Sequence, residues 1–218
     1  MDPFLEPTPV IDCDSPTVRA FAREHAGNET DPAKIAARLF LAVRDRVAYD
    51  PFTPFYEPGH YRASRTIETR RGYCVIKAVA LAAVARAAGI PARLGFADMR
   101  NQGAPADMKE VMGTDVFAWH GFAELFVNGA WRKATPAFHA DLCRRHDIEP
   151  LVFDGASDAV FPARDLSGRP YVEYLAYHGS FADLPLERIM AGWRRVYGDF
   201  RVDAWIAAFE PGGSAPFP

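Results

Sequence analysis

The sequence is poor in cysteine, in long apolar runs and in net charge. Three of its 218 residues are cysteine, and an odd number argues against a framework of disulfides. No stretch of roughly 18 or more apolar residues free of charges predicts a membrane span. Basic and acidic side chains number 25 and 28, so we expect no strongly basic surface of the kind that binds nucleic acid. Neither a membrane nor a nucleic acid is therefore expected among the partners.

The beginning of the sequence also lacks the features of an export signal. Residues 1–7 have no basic start and no long apolar stretch, so we expect no signal peptide and a reducing, cytoplasmic location. Because the sequence has no linker or repeat, we expect one domain over residues 1–218. It divides into a helical lead over 1–50, a core with the reactive residues over 51–138 and a C-terminal extension over 139–218.

Cys74 lies where a nucleophile would lie. A polar turn with Gly72 precedes it, and the apolar run Val75–Ala88 follows until Gly89 and Pro91, which are helix-stop signals. The pattern predicts Cys74 in the first turn of a buried helix, where free N–H groups and the helix dipole favour a thiolate. A free cysteine is more often a small core residue, so the helix position alone leaves both interpretations open.

A predicted hairpin supplies possible partners for this cysteine. Asn128-Gly129 between two β-prone segments is typical of a two-residue turn. Counted outward from that turn, His120 faces Ala137, and Thr135 is its diagonal neighbour on the same face of the sheet. A cysteine at a helix start, with a histidine and an orienting group on adjacent strands, is the layout of a cysteine-nucleophile triad.

The same segments resemble the core of the transglutaminase-like superfamily. The segments that carry the resemblance are Arg65–Cys74, Ala87–Arg93 and His120–Glu124. The helix Asp31–Asp50 resembles the one that leads into that core. The resemblance implies an α+β fold with a papain-like, transglutaminase-like core, in which a helix bearing Cys74 packs on an antiparallel sheet bearing His120 and Thr135. It also implies that Cys74 is the nucleophile and His120 its base.

Thr135 departs from the pattern of the family. That pattern is Trp, three residues, Asp and Pro, whereas this chain reads Trp131 to Pro136 with Thr135 in the place of the Asp. A threonine hydroxyl can accept a hydrogen bond from an imidazole, but it cannot supply the negative charge that stabilises an imidazolium. Asp154 is a candidate carboxylate from elsewhere, although Asp-Gly is more typical of a turn.

The reaction that the resemblance implies is acyl transfer on peptide, isopeptide or glutamine-type amides through a thioester acyl-enzyme. Hydrolysis is favoured over transamidation, because the resemblance carries no calcium site and no flanking modules. The expected partners are peptide, protein or small amide substrates, and no cofactor is implied. The alternative is a non-catalytic peptide- or protein-binding module with a degenerate triad, in which Thr135 is the trace of the decay.

Three residues after the hairpin form part of a metal pattern. His139, Cys143 and His146 share one face if the segment is helical, and zinc uses such ligands. Because no fourth ligand is evident, a structural helix is favoured and no metal site is expected.

Two further segments carry expectations about structure alone. Residues 101–114 have Gly, Pro and charges without a clear period, which predicts a mobile loop beside the His120 strand. Tyr171–Tyr177 alternates as a strand does, and His178–Ser180 is predicted to be a turn.

Overall fold

Two helices lead into the fold of the computed structural model, which describes residues 2–210. They are α1 (Pro16–Ala26) and α2 (Pro32–Arg46). Helix α2 begins after Asp31, whose carboxylate accepts the Ala33 N–H, and Pro32 occupies the first helical turn. Both features stabilise a helix start, since the cap satisfies a free donor and proline has no N–H to lose.

The central element is a buried helix that begins at the candidate nucleophile. After the two-stranded parallel pair of β1 (Ala48–Tyr49) and β2 (Arg71–Gly72), with α3 (Ala63–Thr69) between them, the chain enters α4 (Cys74–Ala87). Residues 75–86 of α4 are all buried, because the helix packs on α1, α2 and α3 and on the sheet. The Lys77 ammonium donates to the carbonyls of Arg44 and Val47 at the end of α2.

Four antiparallel strands form the sheet. They are β3 (Ala92–Asn101), β4 (Val116–Val127), β5 (Ala130–Ala134) and β6 (Val172–Phe181), in the order β5-β4-β3-β6. Asn128 and Gly129 both have positive φ, at 52° and 77°, as the tight hairpin turn requires. Ala123 pairs with Ala134, which is the register counted from the sequence. The predicted α+β class, with the Cys74 helix on the His120 sheet, is confirmed.

Two of the segment predictions were wrong. The segment 101–114 is not one irregular loop, because it ends β3 and then forms α5 (Ala106–Met112). The predicted turn His178–Ser180 lies inside β6. Phe96 pairs with Gly179 and Ala97 with Tyr177, so His178 is the extra residue of a bulge that lets the strand continue.

Three more α-helices follow in the described part of the chain. These are α6 (Ala140–Arg145), α7 (Leu186–Tyr197) and α8 (Asp199–Ala207). Helix α7 packs on β4 near His120 and against α8. Among the helices of residues 2–210, none combines the length and the apolar character that crossing a bilayer requires.

Candidate active site

Cys74 is the first residue of α4 and is only partly buried. Burial raises the pKa of its thiol to about 11, although the backbone N–H groups of Gly121, Val75 and Cys74 itself act in the opposite direction. The N–H groups at the helix start act in the predicted direction, toward the thiolate, but burial of the sulfur opposes them. Desolvation outweighs three favourable N–H groups, and Cys74 is a neutral thiol at neutral pH.

Gly121 lets β4 come close enough to the start of α4 for this contact. A Cβ atom on Gly121 would lie 2.9 Å from Val75 Cγ2 and 3.0 Å from Val75 Cα, which is too close for any other residue without a shift of the helix. Glycine therefore keeps its N–H beside the sulfur of Cys74.

His120 is a buried, uncharged imidazole on β4. It is 3% exposed, and the ring of Phe161 lies 5.5 Å from its own. Burial lowers its pKa to about 3, so the ring is neutral at physiological pH. Its Nε2 has no hydrogen-bond partner among residues 2–210. His120 and Cys74 line one cavity of about 110 Å³, so the structure brings together an uncharged thiol and an uncharged base.

Thr135 lies one residue beyond β5 and is 1% exposed. Its N–H donates to the carbonyl of Ala159 over 2.9 Å, but its Oγ1 has no partner within the described part of the chain. The predicted hydrogen bond from His120 is thus not formed in this structure. His120 Nε2 and Thr135 Oγ1 therefore both lack a hydrogen-bond partner in the described structure. The hairpin register places these two residues diagonally across the sheet. Such orphans are uncommon in folded proteins and call for an explanation.

Asp154 does not replace the missing carboxylate. Its Oδ1 accepts the N–H groups of Ala156 and Ser157 over 2.8 and 2.7 Å, and the side chain is exposed. These two bonds also hold the pKa of Asp154 below its usual value. Asp154 is a turn residue, as its Asp-Gly context indicates.

The residues of the metal pattern have other partners. His139 precedes α6, and its Nδ1 accepts the Tyr49 N–H over 3.3 Å. Cys143 is 2% exposed, and its thiol donates to the carbonyl of Phe138. Within residues 2–210, no three His, Cys, Asp or Glu side chains are grouped so that they could hold a metal ion.

Trp119 is a strained residue next to His120 that sequence reasoning missed. Its φ of 55° lies in the left-handed region, which is rare for a bulky side chain. The carboxylate of Asp98 accepts the Trp119 N–H over 2.9 Å and lies 2.7 Å from His178 Nε2. The His178 ring stacks on the Trp119 ring at 4.4 Å. These contacts hold the bulge that turns the chain just before His120.

Helix α7 fixes the same bulge from the other side. The carbonyl of Ala118 accepts the Trp193 indole N–H over 2.9 Å, and the Ala118 N–H donates to the Tyr197 hydroxyl over 2.8 Å. A Cβ atom on Gly192 would lie 1.9 Å from Nε1 of Trp119, so glycine is required there for the indole to fit. No local motif signals this arrangement, because its parts are far apart in the sequence.

The neutral state of Cys74 predicts how its alkylation depends on pH. We expect iodoacetamide to modify Cys74 before Cys13 and Cys143, because both of these are buried. The rate at Cys74 should rise about tenfold per pH unit above pH 7 and level off only near pH 11. Site-resolved mass spectrometry across pH measures both. A plateau near neutral pH would instead show a thiolate–imidazolium pair, and modification of Cys74 only after unfolding would make it a core residue.

The chain is similar to a known family in sequence and to solved proteins in structure. The family model of the transglutaminase-like superfamily matches residues 19–136. No curated protein matches the chain. Among solved structures, a candidate cysteine protease from Cytophaga hutchinsonii is 17% identical with a TM-score of 0.49, over 82% of this chain and 53% of that one. The periplasmic domain of TgpA from Pseudomonas aeruginosa, bound to ethylmercury, is 25% identical with a TM-score of 0.39, over 61% and 46%. The chain thus spans about half the length of each.

Proposed function

The chain belongs to the transglutaminase-like superfamily, and from this we propose that it is an enzyme in which Cys74 carries an acyl group as a thioester. The observation that carries the proposal is the shared cavity, because Cys74 at a helix start and the buried base His120 line the same small space. A nucleophile and a base in one cavity satisfy the first geometric requirement of covalent acyl transfer.

The reaction begins from a neutral pair. His120 takes the thiol proton while the sulfur of Cys74 attacks the carbonyl carbon of an amide, which leaves an imidazolium and an oxyanion. The N–H groups of Gly121 and Cys74 point toward the sulfur and are the donors available to that oxyanion. Collapse of the intermediate breaks the C–N bond, and the proton on His120 passes to the leaving amine. A thioester on Cys74 remains.

Water completes the cycle in the form we favour. His120 takes a proton from water as its oxygen attacks the thioester, and the carboxylic acid leaves with Cys74 restored as a thiol. An amine in place of water would give a new amide. Hydrolysis is favoured because none of the described residues that line the cavity is Asp or Glu, so no carboxylate there pairs with the ammonium group of an amine substrate.

A non-catalytic binding module is the second candidate. The observation that favours it is the uncharged His120, whose Nε2 meets no carboxylate in the described structure. An imidazolium formed during turnover would lack the charge that normally stabilises it. Catalysis and binding alone therefore differ in one measurable respect, which is whether Cys74 forms an acyl adduct.

Trapping of the acyl-enzyme tests the proposal. The protein is mixed with p-nitrophenyl acetate or a small peptide amide, and the reaction is quenched in acid. The protein is then digested, and the masses of its peptides are measured by mass spectrometry. We expect an acyl group on Cys74 that appears before product and decays by hydrolysis. Cys13→Ser is the matched control, since it removes a thiol that lines neither this cavity nor its neighbour and should leave the adduct unchanged. A folded protein that never acylates Cys74 would be a binding module.

Thr135→Ala tests whether the orphaned hydroxyl orients His120. We expect the Nε2–H of the imidazolium to donate to Thr135 Oγ1 during turnover, so the variant should lower kcat by about 3- to 10-fold with little change in KM. Thr135→Ser keeps the hydroxyl and should retain most activity. Thr135→Asp should keep or raise kcat if the domain tolerates a buried carboxylate, which thermal unfolding checks. Equal activity of the Ala and Ser variants would leave Thr135 only a packing role.

Asp98 is a positioning residue for His120 in the same reaction. Asp98→Ala removes the acceptor that holds Trp119 in its left-handed conformation, and a small displacement of a reacting group lowers rates steeply. We expect kcat to fall by about 10- to 100-fold with KM within about twofold. Asp98→Asn retains an oxygen acceptor and should stay within about threefold of the parent. The steady-state kinetics of both variants decide this, and similar losses in the two would assign the effect to the carboxylate charge instead.

A further inference from the structure

The cavity beside Cys74 has a wall without charge. Among the described residues that line it, none is Lys, Arg, Asp or Glu, and most are aromatic or apolar. Trp193, Trp205 and Phe209 line it together with Met108 and Met112 of α5. A charged group entering this space would lose its hydration without gaining a side chain of opposite charge.

The polar atoms of the wall are largely engaged elsewhere. The Tyr61 hydroxyl donates to the carbonyl of Phe55, so the Tyr73 hydroxyl, 2.5 Å away, donates to Tyr61. The Tyr197 hydroxyl accepts the Ala118 N–H, and the Trp193 indole N–H donates to the Ala118 carbonyl. A carboxamide side chain would therefore find few partners in the wall and would be disfavoured, although less strongly than a charge.

The size of the cavity limits the group that fits. Its volume is about 110 Å³, and a dry apolar cavity of roughly 150 Å³ admits benzene. Because this cavity is smaller, one branched aliphatic side chain fits it directly, and a phenyl ring is the largest group expected, with some movement of the wall. Met108 and Met112 are unbranched and adapt to either shape.

A second cavity indicates which side of the scissile bond the apolar group occupies. This cavity, of about 220 Å³, shares Tyr49, Pro51, Met108 and Phe117 with the first but does not include Cys74. Two of the residues that line it, Asn101 and Tyr171, each carry a polar side-chain atom that is buried without a partner in the described structure. A leaving amine carries N–H donors, and we assign it to this more polar cavity, which leaves the apolar cavity for the acyl side.

We propose that the cavity at Cys74 binds a bulky, uncharged apolar group on the acyl side of the substrate and rejects charged and carboxamide groups. This rests on the proposed function, since it describes the substrate of that reaction. The substrates are then amides of leucine-like or phenylalanine-like acyl groups rather than glutamine side chains.

Two N-acetylated chloromethyl ketones test the proposal, one with a benzyl side chain and one with a glutamine-like carboxamide side chain. In each, the sulfur of Cys74 displaces chloride and forms a C–S bond, so the labelling rate reports on how well the side chain is accommodated. We expect the benzyl compound to react at least about 30-fold faster at Cys74, a preference in the range that a polar group in an apolar pocket produces. Equal rates would overturn the apolar subsite, while a reactive Cys74 would leave the proposed function standing. No reaction of Cys74 with either ketone or with iodoacetamide would overturn both.

A variant in the wall makes the test independent of the intrinsic reactivity of the probes. Met108 is only partly buried, so Met108→Lys should fold and should reduce the benzyl preference by about tenfold or more. Gln102→Lys adds the same charge at an exposed position of the same segment, outside the cavity, and should keep the preference. An unchanged preference in Met108→Lys would overturn the assignment. The assignment would also be overturned if peptide amides showed a preference for apolar groups on the leaving amine and none on the acyl side.

Discussion

Cys74→Ala is expected to abolish acyl transfer, with a loss of at least about 1,000-fold, and His120→Asn to lower it by about 100- to 10,000-fold. The two side chains act on one proton and one carbonyl carbon, so removal of either disables the other. The double variant should therefore be no slower than the slower single variant. The activity of all three variants is measured as the hydrolysis of a benzyl-bearing amide, which is monitored through release of the free amine.

Matched controls separate lost chemistry from lost folding. Cys13→Ser removes a buried thiol whose partner is the carbonyl of Leu5 and should retain full activity. His120 Nε2 makes no hydrogen bond in the described structure, so His120→Asn removes none at that atom, and its thermal midpoint should remain near that of the parent. If the losses in the two single variants multiply in the double variant, Cys74 and His120 act independently and the proposed pair is wrong.

Arg86→Met is expected to lower the free energy of unfolding by about 3–5 kcal/mol, because it leaves buried carbonyl groups without their donor. The guanidinium donates two hydrogen bonds to the carbonyl of Ala92 and one each to those of Glu6 and Ala182. Methionine preserves much of the volume but leaves three carbonyls without this donor, at about 1–3 kcal/mol for each that stays dry. Denaturation in urea measures the change.

Two companion variants sharpen the Arg86 measurement. Arg86→Lys keeps a positive charge but not the planar guanidinium group. Its free energy of unfolding should therefore lie between those of the parent and Arg86→Met. Arg65→Met makes the same exchange at an exposed position of α3 and should stay within about 0.5 kcal/mol of the parent. A loss below about 1 kcal/mol in Arg86→Met would mean that water replaces the guanidinium at all three carbonyls.

Local signals in the sequence were sufficient for the framework of the site. Gly72 before Cys74 and Gly89 after Ala88 indicate where α4 begins and ends. The turn at Asn128 and Gly129 sets the register of the strand that carries His120. Each of these signals acts through the conformations that a few adjacent residues can adopt. Such constraints hold whatever the rest of the chain does.

The electrostatics of the site could not be predicted in the same way. The helix start favours a thiolate at Cys74, but the aromatic wall that desolvates the sulfur comes from segments more than a hundred residues later, such as Trp193. The left-handed Trp119 likewise depends on Asp98 and on His178 of β6. Pairings between distant segments decide these features, and no local pattern in the sequence records them.

The hydrogen bond from Arg86 to the carbonyl of Glu6 bears on which shortened forms of this protein can fold. The family match begins at residue 19, yet the Ala92 N–H at the start of β3 donates to the carbonyl of Phe4, and the Ala63 N–H donates to that of Val10. The Asp12 carboxylate also accepts the Ser64 hydroxyl. We infer that a fragment trimmed to residues 19–136 would lose the N-terminal segment that bonds α3, Arg86 of α4 and the start of β3, together with α7, whose side chains bond Ala118 next to the site. Such a fragment should be less stable than the longer chain.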